Sequence, residues 1–153
     1  MAMHQGQPPA WLPAVTAPSL AAARFAIEAA PEGGVTLLAP PWLLAGPGAG
    51  FFTALIAAIR PVRPALPRAV LFVPGPAPGI ALSAILAARN LSERSGVVLD
   101  PNLASFAALS ETARESGVAY LLAQPPVFDL SAKNPLSQST KRAFERWFGA
   151  QMP

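Results

Sequence analysis

Two glycine-rich segments could supply the backbone amides of a phosphate-binding site. They are GPGAG at residues 46–50 and GPAPG at residues 75–79, and each stands between an apolar run and a helical pattern. Glycine permits a tight turn there and lets a phosphate approach the backbone at a helix N-terminus. The candidate ligand-binding glycines are Gly46, Gly48, Gly50, Gly75 and Gly79.

Neither segment matches an established phosphate-binding motif. Phe51 stands where a dinucleotide-binding fingerprint requires its third glycine, and no acidic residue ends the second predicted strand to hold a ribose. No Gly-Lys-Ser/Thr sequence follows, which excludes a P-loop. A rigid loop that leads into each helix is therefore the favoured interpretation, and binding of a small anionic ligand is the alternative.

Four polar residues lie near predicted strand ends, namely Asp100, Asn102, Gln124 and Asp129. The two acids could face each other across a crevice, where they could act as an acid/base pair or hold a hydroxylated ligand. However, Asp100 is followed by Pro101, and this pair is typical of a helix N-cap with proline in the first turn. We favour the capping interpretation for Asp100.

The residues that most often carry nucleophilic or metal chemistry are scarce. The chain has no cysteine, and its one histidine is His4, close to the beginning of the sequence. Thiolate catalysis, disulfides and cysteine-containing zinc sites are thereby excluded, and no Ser–His pair is expected in the body of the domain. An enzyme would need chemistry supplied by a cofactor or by the substrate, and the sequence identifies neither.

Short apolar runs alternate with helical patterns along the chain. The runs lack polar alternation, which is typical of strands buried on both faces. Ser19 and either Ser137 or Ser139 are the expected N-caps of the first and last helices. Strands are predicted over 35–39, 69–73, 97–100 and 118–122, and helices over 19–30, 49–60, 79–90, 101–116 and 137–148.

This alternation predicts parallel pairing through right-handed crossovers. We expect a single α/β domain over residues 18–150, with about four parallel strands in a three-layer, Rossmann-like or flavodoxin-like arrangement. A half-barrel is less favoured because it would leave open edges. Residues 1–17, which hold three prolines, are predicted to be a flexible arm. All strand-to-helix loops should meet at one sheet edge, so one pocket mouth is expected to contain Gly48, Gly75, Asp100, Gln124 and Asp129.

Charged residues make up only 12% of the chain, about half the usual share. The formal net charge of +3 comes entirely from residues 131–153, because seven arginines balance seven acids in residues 1–130. This deficit predicts a homo-oligomer, most simply a dimer, with an interface that includes aromatic residues of the final helix. For the final helix itself, the favoured interpretation is that Phe144, Trp147 and Phe148 dock onto the sheet, and contact with a second subunit is the alternative. Nucleic-acid binding is not expected from so few bases.

Two uncharged runs, 33–59 and 69–88, are long enough to span a bilayer, but several prolines and glycines interrupt each of them. The first residues lack the basic region and apolar stretch of a signal peptide. A cytoplasmic location without membrane insertion is therefore expected.

Together these features predict a non-catalytic, self-associating α/β domain with a small-ligand crevice at the carboxyl ends of its strands. The alternative is an enzyme that acts on a phosphate-bearing substrate or uses a nucleotide cofactor held at the glycine-rich loops.

Overall fold

The computed structural model describes residues 11, 13–30, 34–61, 69–131 and 137–151. Six parallel strands form one sheet in the order β5-β4-β3-β2-β1-β6. The strands are β1 (Ala14–Thr16), β2 (Thr36–Ala39), β3 (Ala69–Phe72), β4 (Arg94–Val98), β5 (Ala119–Leu121) and β6 (Val127–Phe128). The helices are α1 (Leu20–Glu28), α2 (Pro41–Ala45), α3 (Ala49–Ile59), α4 (Pro78–Arg89), α5 (Phe106–Glu115) and α6 (Gln138–Gln151).

The predicted α/β class with a parallel sheet is confirmed, although the sheet has six strands rather than about four. One additional strand, β1, lies within the segment predicted to be an arm. Pro13 and Pro18 flank β1, but Pro13 still contributes to the sheet because its carbonyl oxygen accepts a hydrogen bond of 2.8 Å from the Thr36 amide. The prediction of flexibility for residues 1–10 and 12 lies outside the described residues.

None of the helices in the described ranges is long and apolar enough to cross a membrane.

Both faces of the sheet are buried, as the continuous apolar runs predict. On one face, alternate strand residues such as Leu37 and Val70 pack with buried side chains of α1 to α6. On the other face, Leu38, Leu71 and Leu121 form a second and smaller cluster with Trp11. Successive strands β1 to β5 are neighbours, so each crossover advances in the same direction across the sheet.

Local signals account for several helix ends. The Ser19 hydroxyl accepts a hydrogen bond of 3.1 Å from the Ala22 amide, and Ser137 accepts from the amides of Ser139 and Thr140, so both predicted caps are confirmed. Gly117 ends the region of α5 with a φ of +73°, a conformation that favours glycine.

The connection between β5 and β6 requires a curved sheet. These strands lie at opposite edges, yet only residues 122–126 join them. Such a link reaches about 20–22 Å when fully extended. Six strands laid flat would place the two edges about 24 Å apart, before any shift along the strands. The sheet therefore curls away from the helices, and side chains of β2, β3, β5 and β6 meet around one concave cluster.

Trp11 fills this concave face. Its side chain is only 1% exposed, and the Arg94 guanidinium lies 4.9 Å from the centre of the indole ring. Gly96 in β4 makes room for the indole, because a Cβ atom at this position would lie 2.7 Å from Cη2 of Trp11. The glycine is thus required by close packing and not by its backbone angles.

An ion pair ties the end of α3 to the loop before β4. Arg60 donates from Nε and Nη2 to the two carboxylate oxygens of Glu93, at 2.6 and 2.9 Å. The hydrogen bond from Arg60 is the main cause that holds the pKa of Glu93 below its ordinary value. The Arg60 side chain is 38% exposed, so solvent weakens the contribution of this pair to stability.

Replacing Gly96 by Ala is expected to lower the free energy of unfolding by about 1–3 kcal/mol, because the added methyl group overlaps the buried indole. Chemical denaturation measures the change. Gly79→Ala is the matched control, since a Cβ atom there meets nothing within 4 Å. An unchanged unfolding midpoint for Gly96→Ala would contradict the described packing of Trp11.

Glu93→Gln is expected to lower stability at neutral pH by about 0.5–1 kcal/mol. A carboxyl whose pKa is lowered by folding stabilises the fold above its unfolded pKa and loses that contribution as the pH falls through its folded pKa. The difference between the natural chain and Glu93→Gln should therefore disappear in acid. Glu111→Gln removes only the exposed pair with Arg114 and should change little at any pH. A pH-independent difference would be the contrary result.

Candidate ligand-binding site

A cleft of about 480 Å³ opens at the carboxyl ends of β1 and β2, beside β6. We refer to it as the β6 cleft. The β5–β6 link forms one wall, and the segment after β2 forms the opposite wall. Its lining residues are Thr16, Leu38, Pro40, Pro41, Trp42, Gln124, Pro125, Pro126, Val127, Asp129 and Ser131.

Asp129 is the charged group among the described residues that line the β6 cleft. Its Oδ1 accepts a hydrogen bond of 2.8 Å from the Thr16 hydroxyl and another of 2.8 Å from the Ser131 amide. Thr16 is buried, whereas Asp129 is exposed. The two donors therefore hold the carboxylate in one orientation at the cleft surface.

The Thr16 hydroxyl is fully used by this contact. While it donates to Asp129, it also accepts a hydrogen bond of 2.7 Å from the buried Leu130 amide. Because Thr16 is also buried, its hydroxyl is a structural group with little access to a bound ligand. It joins β1 to the end of β6, two segments that lie 113 residues apart along the chain.

The remaining walls are flat and mostly apolar. Trp42 in α2 is 54% exposed and therefore presents part of its indole to solvent at the cleft. Pro41 occupies the first turn of α2, where proline is well tolerated. Gln124 is exposed and offers an amide that can both donate and accept hydrogen bonds. An aromatic face beside such polar groups is suited to ring-shaped ligands that bear hydroxyls.

A second cleft, of about 240 Å³, lies at the carboxyl ends of β3, β4 and β5. We call it the β4 cleft. It is lined by Val73, Gly75, Pro76, Val98, Asp100 and Leu122.

Asp100 does not cap a helix, contrary to the favoured prediction. Its Oδ1 accepts a hydrogen bond of 2.9 Å from the amide of Asn102 and so closes a local turn. The following residues 101–105 form turns, and α5 begins only at Phe106, with Ser105 as its N-cap residue. The side chain of Asp100 thus satisfies a loop amide and not a helical one.

The predicted site residues are consequently divided between two clefts. Gln124 and Asp129 line the β6 cleft, whereas Gly75 and Asp100 line the β4 cleft. Gly48 and Gly75 have positive φ angles of 96° and 77°. The backbone conformation alone therefore explains why glycine occupies both positions. The remaining candidates line neither of these two clefts; they are Gly46, Gly48, Gly50, Gly79 and Asn102. Ligand binding by any of these residues stays a prediction.

Sequence reasoning missed Thr16 and Trp42. Thr16 lies in the segment interpreted as an arm, and a three-residue strand between prolines gives no usable periodicity. Trp42 lies in the loop that follows the first predicted strand. A large aromatic residue among prolines and glycines was the signal that could have identified it as a site residue.

The aromatic residues of α6 pack inside the chain. The Phe144 ring lies 5.7 Å from that of Phe25 and 5.3 Å from that of Phe128, and Trp147 lies 5.6 Å from Phe128. Phe144 is buried, while Trp147 and Phe148 are half-buried. This geometry agrees with docking onto the sheet, which leaves Phe144 inaccessible to a second subunit.

Within the described ranges, no group of three or more His, Asp or Glu side chains could hold a metal ion. No family model, curated protein or solved structure matches this chain. The fold and the two clefts therefore provide the basis for a functional interpretation.

Thr16→Val should destabilise the chain by about 1–3 kcal/mol, because it leaves the buried Leu130 amide without its acceptor. The measurement is the free energy of unfolding in denaturant. Thr53→Val is the control, since that hydroxyl bonds only to the Gly50 carbonyl on the surface of its own helix. Equal effects of the two substitutions would show that the Thr16 contact contributes nothing specific.

Proposed function

We propose that this chain is a non-catalytic, self-associating α/β domain of the cytoplasm that binds a small hydroxylated ring compound in the β6 cleft. The observation that carries the proposal is the fixed orientation of the Asp129 carboxylate in a cleft that also contains an exposed indole. The position of the cleft agrees with the general rule that ligands of parallel sheets bind at the carboxyl ends of the strands.

The Asp129 carboxylate supports a ligand that presents hydrogen-bond donors such as hydroxyls. Asp129 is acidic, and no Lys or Arg is among the described residues that line this cleft. A carboxylate accepts hydrogen bonds from ligand hydroxyls, and the Gln124 amide can complete such a pattern. The Trp42 face can stack on the apolar side of a sugar or on a base.

A non-catalytic role is supported by the burial of the Thr16 hydroxyl and by the lack of cysteine. The only histidine, His4, lies outside the described residues. The cleft thus provides recognition groups, and the described residues contain no Cys–His or Ser–His pair.

An enzyme with a phosphate-bearing substrate or nucleotide cofactor at the glycine-rich loops remains the alternative. The backbone angles of Gly48 and Gly75 explain these glycines without a ligand. No described contact favours the alternative over the β6 cleft, but a direct comparison of ligands can separate the two.

Adenosine, D-glucose and adenosine monophosphate are the probes for this comparison. If the proposal is correct, a neutral probe at about ten times its Kd raises the Tm by about 3–6 °C. Asp129→Asn should weaken that binding about 10- to 100-fold, because an amide loses the charge but keeps an acceptor for Thr16. Quenching of tryptophan fluorescence that disappears in Trp42→Phe would place the probe at the indole.

Asp100→Asn in the β4 cleft is the matched control and should bind the same probe unchanged. Binding of adenosine monophosphate without any binding of adenosine would support the glycine-loop alternative. Lack of binding by both neutral probes would contradict the proposed ligand class.

A further inference from the structure

The outer face of α3 carries no charge. Its exposed side chains are Phe51, Ala54, Ala57 and Ala58, which recur at helical spacing on the side away from the core. The one polar side chain of α3, Thr53, donates its hydroxyl proton to the Gly50 carbonyl of the same helix. Water is therefore in contact with an entirely apolar helix surface.

The neighbouring helix α4 extends this surface. Leu82 and Leu86 lie one turn apart on α4, and both are exposed, at 42% and 39%. Only Arg89, in the last turn, brings a charge to α4. We refer to the outer residues Phe51, Ala54, Ala58, Leu82 and Leu86 as the α3–α4 face.

Charged residues return on the described helices that flank this face. Arg24 and Glu28 are exposed on α1, which packs beside α3, and Glu111, Arg114 and Glu115 are exposed on α5, which packs beside α4. The uncharged part of the helix surface is thus concentrated on α3 and α4. A contiguous apolar patch with a charged border is typical of an interaction surface.

We propose that the α3–α4 face binds the same face of a second copy of this chain in a twofold dimer. This inference rests on the self-association included in the proposed function and assigns it to a surface. A twofold interface brings identical patches together, so it requires a patch that does not repel itself. An uncharged surface of Phe, Leu and Ala fulfils that condition, whereas it offers no partner groups to a charged protein.

A membrane surface fits this face less well than a second copy does. Interfacial helices usually present Lys and Arg beside their apolar side chains, to interact with anionic lipids. At the C-terminal end of α3, Arg60 is already bonded to Glu93. Arg89 is then the basic residue that α4 contributes near this face.

The size of the face predicts a reversible dimer. Helices of 11 and 12 residues are about 17 Å long, and two of them side by side are about 20 Å wide. The projected area of about 350 Å² lies below the roughly 800 Å² per partner of a standard interface. We therefore expect weak association, in which the protein concentration decides between monomer and dimer.

Sedimentation equilibrium of the whole chain from micromolar to millimolar concentration tests the inference. The mass should rise from 15.8 kDa towards twice that value. Leu86→Glu should raise the dissociation constant by about 100-fold or more, because the interface would bury two unpaired carboxylates. Leu122→Glu is the matched control: Leu122 is 52% exposed but lies in the β4 cleft, so this variant should dimerise like the natural chain.

Three results would overturn the assignment in different ways. If the natural chain dimerises and both Leu86→Glu and Phe51→Glu remain dimeric, another surface mediates self-association. If the natural chain stays at 15.8 kDa throughout, self-association itself is wrong, while ligand binding in the β6 cleft is tested separately by the neutral probes. A monomer that cosediments with phosphatidylglycerol vesicles, and loses this in Leu86→Glu, would assign the face to membranes instead. Circular dichroism confirms that each variant is folded.

Discussion

The five-residue connection between β5 and β6 is the constraint on which the shape of this molecule depends. It must join opposite edges of a six-stranded sheet, and it can do so only if the sheet curls. Curling creates a concave face that Trp11 fills, and Gly96 is small where the indole approaches the sheet. The same connection forms one wall of the β6 cleft, opposite Pro41 and Trp42. The short link that makes the sheet curl therefore also shapes the cleft.

Fold and site are joined through Thr16. Its hydroxyl satisfies a buried amide after β6 and at the same time orients the carboxylate of Asp129. A buried hydroxyl with both functions satisfied stabilises its surroundings, whereas one left unpaired would destabilise them. The orientation of the candidate ligand-binding carboxylate is therefore determined by a contact that the fold itself requires.

The sequence predicts the elements whose signal is local. Continuous apolar runs identify β2, β3 and β5 closely, and the serine caps identify the beginnings of α1 and α6. The β4 strand begins at Arg94, earlier than predicted, because its polar first residues hide it. Strands β1 and β6 are too short for periodicity, and they form only because distant partners supply their hydrogen bonds. The division of the site between two clefts follows from strand order and curvature, neither of which a single sequence reveals.

The pairing of β1 with β6 also affects the order in which the chain can fold during synthesis. The sheet next to β1 stays incomplete until residues near Phe128 have left the ribosome, more than a hundred residues after β1 itself. Closing a loop of more than a hundred residues has an entropic cost, and the formation of local helices does not require it. Helices α1 to α5 and their strands can form earlier, with an exposed edge at β1 that a nascent chain has to keep from pairing wrongly. The β6 cleft can therefore form only after β1 to β5 have been synthesised.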